Sequence, residues 1–315
     1  MDIILIKDFL SPEQLILLAK KFPEFKIINA FNKKILNPSI WKKVKIIFGE
    51  KIDEEEVLKS PNLRWIHSSS IFVYKIKLRE LYKNRNLLLS FTTEADLHQI
   101  SEMTLSVTSL FAKNLHILSN KETSPSEIKL AINSILDIRN LNFLQVGMGA
   151  IGSEICRKAK QADMKTFAAD KYSSFSPYWK KVFEFNNLNS ILSRMDVICI
   201  SIPNRLQEQH YLTYNELSKI KEDAILLIVG SGGIDISSLE KLIVNKKFRG
   251  VFIDSPESGK LHAKSSPIIK LKNVITANEI SREPRSSNEI SFKSFVYNLK
   301  CFNLKNFEVM KGRVL

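Results

Sequence analysis

The stretch Phe143-Leu-Gln-Val-Gly-Met-Gly-Ala-Ile-Gly152 contains the strongest structural signal in the sequence. Its first four residues are typical of a buried strand, and the glycines that follow have the spacing G-x-G-x-x-G. An amphipathic helix is predicted from about Ala150, and a second strand, Thr166-Phe-Ala-Ala169, ends next to Asp170. Strand, glycine turn, helix and strand in this order predict one βαβ unit of a parallel sheet.

Each part of this unit has a physical role in binding a dinucleotide. Gly147 allows the tight turn after the strand, Gly149 lets the backbone approach a pyrophosphate, and Gly152 lets the helix pack closely on the strand. The helix begins near Ala150 and Ile151, where backbone N–H groups and the positive end of the helix dipole favour phosphate.

A carboxylate at the end of the second strand completes the pattern. Asp170 lies near the position, ~20 residues beyond the glycines, where an acidic side chain binds the ribose of NAD. Its charge repels the 2′-phosphate of NADP, although Lys171 beside it weakens that repulsion. We therefore expect NAD as the cofactor. The glycines alone also fit a helix–sheet protein that has a glycine-rich turn and no ligand.

The composition describes an ordinary globular protein. Of its 315 residues, 44% are hydrophobic and 25% are charged, and the length suits two domains. No apolar run is long enough to span a bilayer, and the N-terminus lacks a signal-peptide pattern. Cys156, Cys199 and Cys301 are widely spaced and show no metal-binding pattern. These features predict a cytoplasmic protein without a metal site.

The net charge of +14 raises the question of a nucleic-acid partner. The lysines occur as scattered pairs, such as Lys33-Lys34 and Lys180-Lys181, and form no stripe. No nucleic-acid-binding motif accompanies them. We therefore interpret the charge as compositional bias and expect no nucleic-acid partner.

Short apolar runs alternate with helical patterns on both sides of the glycine motif. The predicted strands before it cover residues 3–6, 44–48, 64–67 and 87–90, and those after it cover 196–203, 224–229, 250–254 and 273–276. A long helix over residues 94–115 separates the two groups. The alternation predicts two α/β domains, each with a parallel sheet.

Several segments resemble motifs of the D-isomer-specific 2-hydroxyacid dehydrogenases, which include phosphoglycerate and formate dehydrogenases. Residues 63–70 resemble the strand before that family's substrate-carboxylate loop, and Ser201-Ile-Pro203 resembles its H-x-P motif. Gly230-Ser-Gly-Gly233 stands where A-R-G-G is usual, and residues 251–254 resemble its A-x-L-D strand. Residues 273–281 align without a gap on N-V-I-x-T-P-H-I-S.

The resemblance implies an α/β fold of two doubly wound parallel-sheet domains, one Rossmann-like and one flavodoxin-like, with the cofactor domain inserted in the substrate domain. Residues 1–95 and 285–315 would form the substrate domain, and residues 96–284 the NAD-binding domain. A small-molecule substrate would bind between them, and a homodimer would form through the cofactor domain. The residues expected at the cofactor are Gly147, Gly149, Ala150, Ile151, Gly152, Asp170, Ser201, Pro203, Val229, Gly230, Ser231 and Asp254.

The family's catalytic residues are not retained. Ser231 stands at the position of the arginine that binds the substrate carboxylate, and Glu279 stands at the position of the proton-transferring histidine. The position of the glutamate that orients this histidine falls near Gly259, with Glu257 as the nearest carboxylate. The carboxylate loop S-x-G-x-D appears as Ser70-Ile-Phe-Val-Tyr74.

The candidate catalytic residues are therefore Glu279, Ser231 and Tyr74. Glu279 could act as an acid or base in a closed apolar cleft, or could be a loop residue paired with Arg282 or Arg285. Ser231 would make the pocket larger and less positive than in the family, and Tyr74 would lie on the substrate side.

Two functions fit these residues. The first is an NAD-dependent oxidoreductase that transfers hydride to or from an atypical small substrate. The second is a catalytically silent NAD-binding protein that senses the cofactor or holds a partner.

Overall fold

The computed structural model describes residues 1–31, 37–50, 52–69, 87–92, 94–171, 176–202, 210–245, 248–254, 266–277 and 284–314. The chain divides into two compact units, Met1–Asp96 with Glu283–Leu315 and Leu97–Arg282. The second unit is therefore inserted in the sequence of the first. Each unit is built on one sheet.

The elements follow one another in α/β order. The first segment of the first unit contains β1 (Asp2–Ile6), α1 (Pro12–Lys21), β2 (Phe25–Asn29), α2 (Pro38–Trp41), β3 (Val44–Phe48), α3 (Glu54–Lys59), β4 (Trp65–Ser68) and β5 (Leu88–Phe91). Across the boundary and in the second unit lie α4 (Glu94–Ala112), α5 (Leu115–Leu118), α6 (Pro125–Asn133), β6 (Asn142–Val146), α7 (Ala150–Gln161), β7 (Lys165–Ala169), β8 (Val182–Phe183), β9 (Val197–Ile202), α8 (Tyr214–Ser218), β10 (Ile225–Ser231), α9 (Ile236–Asn245), β11 (Gly250–Ile253) and β12 (Val274–Thr276). The chain returns to the first unit with α10 (Pro284–Asn303) and β13 (Arg313–Val314). Among the described helices, none is both long and apolar enough to cross a membrane.

The first unit has the flavodoxin-like strand order β2-β1-β3-β4-β5, with all neighbouring strands parallel. This confirms the predicted doubly wound sheet. The structure adds one feature, because β13 pairs antiparallel with β5 through Arg313 opposite Ser90 and Val314 opposite Leu89. A two-residue edge strand carries no periodic pattern, so the sequence did not predict it.

The second unit has the order β8-β7-β6-β9-β10-β11-β12, and its paired strands are parallel. The six strands from β8 to β11 follow the Rossmann order, and β12 adds a seventh. The strand order reverses between β6 and β9. In open α/β sheets such a reversal creates a crevice at the carboxyl ends of the strands, where ligands bind.

Burial on both faces explains why the central strands are nearly continuous apolar runs. On β1, Ile4 and Ile6 pack with α1 and α10, whereas Ile3 and Leu5 pack with α3 on the opposite face. The helices are set by local signals as well. Ser11 caps α1 in a capping box with Gln14.

His67, at the third position of β4, lies in the core of the first unit. Its side chain is fully buried and packs near the rings of Phe48 and Phe295. Trp65 Nε1 donates to Ser90 Oγ, so the Ser90 hydroxyl can donate to His67 Nδ1 at 2.7 Å. The His67 Nε2–H then faces Thr92 Oγ1 at 3.2 Å. This arrangement is that of a neutral structural histidine.

Burial lowers the pKa of His67 to about 3. The unfolded chain protonates this ring below about pH 6.5, whereas the folded chain stays neutral down to about pH 3. The free energy of unfolding therefore falls as the pH drops through this interval, by about 1.4 kcal/mol per pH unit from this group.

We expect His67→Gln, which can still accept from Ser90 and donate to Thr92, to remove this contribution. Between pH 7.5 and pH 5 the variant should lose about 2 kcal/mol less unfolding free energy than the wild type. Urea unfolding followed by tryptophan fluorescence measures the difference. His98→Gln is the control, since the His98 side chain is 61% exposed. Equal pH dependence of His67→Gln and wild type would contradict the assignment.

Candidate dinucleotide-binding site

The carboxyl ends of five adjacent strands in the second unit bring the predicted cofactor residues to one edge of the sheet. Gly147 follows β6, Asp170 follows β7, Ser201 lies near the end of β9, Gly230 near the end of β10, and Asp254 follows β11. The reversal of strand order falls between β6 and β9, within this set. The edge therefore has the position that dinucleotide sites occupy in Rossmann sheets.

Gly147 begins the turn that we call the glycine loop, residues 147–152. Its φ angle is +91°, in the region that side chains with a Cβ rarely adopt. A Cβ here would lie 3.0 Å from Ile202 Cγ1 and 3.1 Å from the Ser201 carbonyl oxygen. Its N–H donates to the Ala169 carbonyl at 2.8 Å, which ties the loop to the end of β7.

Gly152 permits the close approach of α7 to β6. A Cβ on this residue would lie 1.9 Å from the Gly147 carbonyl oxygen and 2.9 Å from Ser201 Oγ. Backbone occupies this space, so any other residue would displace the helix from the strand end. This is the packing role that the sequence assigned to the last glycine of the motif.

Gly149 differs from the other two glycines because its side-chain direction is open. It is the N-cap residue of α7 with φ −67°, and no atom of the described residues outside its immediate neighbours lies within 4 Å of the position that a Cβ would take. Ala150 and Ile151 follow in the first helical turn, whose N–H groups have no acceptor within the helix. Open space in front of a helix N-terminus fits a bound pyrophosphate.

Asp170 is connected to the glycine loop directly. Its Oδ2 accepts a hydrogen bond from the Met148 N–H at 2.6 Å, and its own N–H donates to the Phe183 carbonyl. The carboxylate is thus held beside the loop at the end of β7. This is the position in which a carboxylate can accept hydrogen bonds from ribose hydroxyls.

Gln145 is a part of the site that the sequence analysis did not single out. It is fully buried in β6, and its Nε2 lies 2.8 Å from Ser201 Oγ and 3.3 Å from the carbonyl oxygens of Val146 and Gly147. Ser201 Oγ in turn donates to the Gly147 carbonyl at 3.1 Å. The two side chains form a polar cluster beneath the glycine loop. A polar residue inside an otherwise apolar predicted strand was the available signal.

The ends of β10 and β11 complete the edge. Gly230 pairs with Ser201, and a Cβ on it would lie 2.6 Å from the Ile202 carbonyl oxygen. Val229 and Asp254 are both buried, and the Asp254 N–H donates to the Ile228 carbonyl at 2.8 Å. The close packing of β10 against β9 is therefore sufficient to explain why position 230 is a glycine, whether or not a ligand binds there.

Several predicted residues lie outside the described part of the chain. They are Tyr74, Pro203 and Glu279, together with Glu257 and Gly259. Ser231 is described only as the last residue of β10. His98 is exposed, with its Nδ1 3.6 Å from Glu154 Oε1, so the described residues place it in a surface pair.

The three cysteines are buried and free. Burial raises the pKa of the Cys156 thiol to about 12 and also raises the pKa of Cys199. Both thiols therefore stay protonated at neutral pH and are poor nucleophiles. Within the described residues, no cluster of His, Cys, Asp and Glu side chains could hold a metal ion.

The glycine geometry yields a paired prediction. Gly149→Ala should change the unfolding free energy by about 1 kcal/mol or less, because its Cβ meets none of the described residues beyond its neighbours and only the N-cap preference is lost. It should weaken NADH binding by ~10-fold or more, since the methyl group enters the space in front of the helix. Gly152→Ala should lose both stability and binding. Titration calorimetry and urea unfolding measure the two effects. Wild-type NADH affinity in Gly149→Ala would show that the pyrophosphate does not bind here.

The position of Asp170 predicts a specificity change. Asp170→Ala removes both the predicted ribose acceptor and the bond from Met148, whereas Asp170→Asn retains an acceptor and loses the charge. Both variants should narrow the preference for NADH over NADPH, and Asp170→Ala should bind NADH more weakly, by ~10-fold or more. Titrations with NADH and NADPH give the ratio. An unchanged ratio in Asp170→Asn would contradict the charge argument.

Comparison with known proteins agrees with this geometry. The family model described as the NAD binding domain of the D-isomer specific 2-hydroxyacid dehydrogenases matches residues 111–278. A probable 2-ketogluconate reductase of Dictyostelium discoideum is 24% identical over 168 residues, 52% of this chain and 49% of that protein. The match thus spans about half of that relative's length. Glyoxylate/hydroxypyruvate reductase B of Erwinia tasmaniensis is 23% identical over 256 residues, 80% of this chain and 79% of that protein.

The fold is similar over the whole chain to a solved structure. A D-isomer specific 2-hydroxyacid dehydrogenase family protein from Aeromonas salmonicida superposes with a TM-score of 0.80 at 20% identity, covering 100% of this chain and 99% of that one. The family's NAD-binding domain covers more than half of the chain and includes every strand of the sheet that carries the glycine loop. The chain therefore belongs to the D-isomer-specific 2-hydroxyacid dehydrogenase family.

Proposed function

We propose that this protein is an NAD-dependent oxidoreductase that transfers hydride to or from a small substrate other than an ordinary 2-hydroxy acid. The observation that carries the proposal is the complete glycine loop, with an open N-terminus on α7 and the Asp170 carboxylate bonded to Met148. Selection for a cofactor site accounts for this combination better than packing alone, because Gly149 serves no packing need. In this proposal the second unit binds NAD, and the first is the substrate domain.

The proposed departure in substrate rests on the sequence positions of the family's catalytic residues. Serine at position 231 cannot replace the charge-assisted, bidentate contact of an arginine with a carboxylate. Loss of the histidine at position 279 removes a proton-transfer contribution of ~10²–10⁴-fold unless glutamate supplies it. Both changes select against 2-keto acids and favour an aldehyde, ketone or imine without a neighbouring carboxylate.

The chemistry that the cofactor supplies is the hydride. The chain's contribution is to bind the dinucleotide through the glycine loop, to orient its ribose through Asp170, and to place an acid or base near the reacting atom. We assign the last role to Glu279, with Ser231 and Tyr74 as pocket residues. Burial in a closed site would raise the pKa of a carboxylic acid and let it donate a proton.

A second function is proposed as the alternative, because all three of the family's catalytic positions are changed at once. A protein with an intact cofactor edge and no catalytic set would bind NAD without turnover, as a sensor of the cofactor or as a scaffold for a partner. The two proposals differ in whether any substrate oxidises bound NADH.

A substrate screen distinguishes them. The full chain is incubated with NADH and panels of 2-keto acids, aldehydes, ketones and imines, and NADH oxidation is followed at 340 nm. The oxidoreductase proposal expects turnover with one of the panels that lack a carboxylate. Efficient reduction of pyruvate or glyoxylate would instead show that the usual substrates are retained. NADH binding without oxidation in every panel would support the silent alternative.

Glu279→Gln tests the acid–base assignment with the substrate found in that screen. The amide keeps the shape of the side chain and removes its titration. NADH affinity should stay within about twofold, turnover should fall by ~10²-fold or more, and one limb of the pH–rate profile should disappear. If Glu279 is a loop residue paired with Arg282 or Arg285, activity should not change and stability should fall by under ~1 kcal/mol.

We propose in addition that the protein is a homodimer through its cofactor unit. Helix α6 buries only Ala131 within the unit, and large apolar side chains nearby are exposed. They are Leu115, Leu130, Ile132 and Ile135, at 49%, 68%, 53% and 43% exposure. Such a surface is typical of an interface.

The oligomeric state can be measured by sedimentation equilibrium. Leu130→Asp with Ile132→Asp should convert a dimer to a monomer without unfolding the chain, since both side chains are exposed in the single chain. A wild-type monomer at the highest concentration measured would refute this proposal.

For location we propose the cytoplasm, where the three free, buried thiols suit a reducing environment.

A further inference from the structure

A groove of about 840 Å³ lies in the first unit between α1 and α10. Its floor includes the buried side chains of Phe292 and Val296, which also pack in the core. Phe9, Leu17 and Tyr297 line it and are 55%, 39% and 42% exposed. The groove thus presents an apolar strip to solvent, in the unit that does not contain the glycine loop.

Helix α1 is unusually exposed for a helix of a doubly wound domain. Leu18 is the only residue of its ten that is fully buried. A helix of this kind typically buries an apolar stripe against its sheet and exposes a polar face. Here Leu17 and Ile16 are exposed next to Leu18, which indicates an apolar surface that the described residues of the first unit leave uncovered.

The groove is also positively charged. Three of its lining residues are lysines, Lys21, Lys293 and Lys300, and Glu289 is the only carboxylate in the described lining. Glu289 Oε1 lies 2.6 Å from Lys293 Nζ, so its charge is already paired. The lining therefore carries a net positive charge on both helices, beside an apolar floor.

We propose that this groove binds an amphipathic helix of a partner protein whose apolar stripe is flanked by carboxylates. The apolar side chains would rest on Phe292 and Leu17, and the carboxylates would face Lys21 and Lys300. A groove walled by two helices suits a helical ligand, and its longer wall, α10, has 20 residues and so runs for ~30 Å. Helices bind in such grooves through side chains at spacings i, i+3, i+4 and i+7.

Charge and shape favour this occupant over two others. A second copy of the chain, joined by a twofold axis through the groove, would bring the same lysines against one another. A membrane surface is flat on this scale, whereas Phe292 and Val296 form the floor of a concave groove. An acidic helix satisfies both the apolar floor and the basic walls.

The test uses the full-length protein and a fluorescein-labelled, ~18-residue helical peptide, long enough for five turns. The peptide carries leucine at i, i+3, i+4 and i+7 spacing with glutamate on the flanks. A second peptide has the same leucines with lysine in place of glutamate, and a third has the composition of the first with its stripe scrambled. Fluorescence polarisation should show saturable binding of the acidic peptide and at least tenfold weaker binding of the other two.

Matched variants locate the binding. Leu17→Ser should weaken binding of the acidic peptide at least tenfold. Ile16 is an exposed neighbour that does not line the groove, so Ile16→Ser should change the binding affinity by less than twofold. Lys21→Glu with Lys300→Glu should weaken it at least tenfold. Lys20→Glu with Lys26→Glu changes the net charge equally outside the groove and should have a small effect. NADH affinity should be the same in all four.

Several results would overturn the proposal. The first is equal binding of the acidic and basic peptides, or no saturable binding of either. Another is an equal loss in Leu17→Ser and Ile16→Ser, because the groove would then not be the site. A shift of wild-type oligomeric state in Leu17→Ser would assign the groove to a second copy. Binding to phosphatidylserine vesicles that Leu17→Ser abolishes and the acidic peptide does not displace would assign it to a membrane surface.

Discussion

The close contact between Gly152 and the Gly147 carbonyl is the constraint on which the cofactor edge depends. By cofactor edge we mean the carboxyl ends of β6, β7, β9, β10 and β11, where the predicted cofactor residues lie. Because no side chain stands between them, α7 begins directly against the end of β6. This fixes the direction of the helix and places its first N–H groups over the carboxyl ends of the strands. The open position at Gly149 and the bond between Met148 and Asp170 follow from the same arrangement. If a methyl group at position 152 displaced α7, the first N–H groups of the helix, the open position at Gly149 and the bond between Met148 and Asp170 would all lose their alignment.

Buried polar groups hold this arrangement from below. Gln145 and Ser201 bind the Gly147 carbonyl from two neighbouring strands, β6 and β9, on either side of the reversal in strand order. An apolar pair of the same size would fill the volume but would leave that carbonyl without these donors. A displaced loop would break these hydrogen bonds together, so the two side chains favour one position of the loop.

The two units have related parallel sheets, but their polar side chains lie in different parts of the sheet. In the second unit, polar and small residues collect at the carboxyl edge, where β6, β7, β9, β10 and β11 end. In the first unit the sheet interior contains the neutral His67 and its hydrogen bonds with Ser90 and Thr92. The buried side chain of His67 therefore has a structural role in the core.

The sequence by itself determined the fold class and the cofactor, NAD. Periodicity is a local property, so alternating strands and helices could be read directly, and the spacing of the glycines with Asp170 predicted a Rossmann unit. It also predicts which of the family's catalytic residues are replaced, and that prediction rests on motif alignment alone. The two-residue strand β13 could not be predicted, since its pairing with β5 depends on a partner more than two hundred residues away.

The tertiary structure decided the roles of individual side chains. In the sequence, Gln145, His67 and Leu17 have one feature in common, which is that each lies within a mainly apolar segment. Packing makes Gln145 a support of the glycine loop, His67 a neutral core residue and Leu17 an exposed wall of a groove. The glycines divide in the same way, because Gly152 faces backbone and Gly149 faces open space. A side chain's role depends on which distant residues surround it, and that information is absent from local sequence patterns.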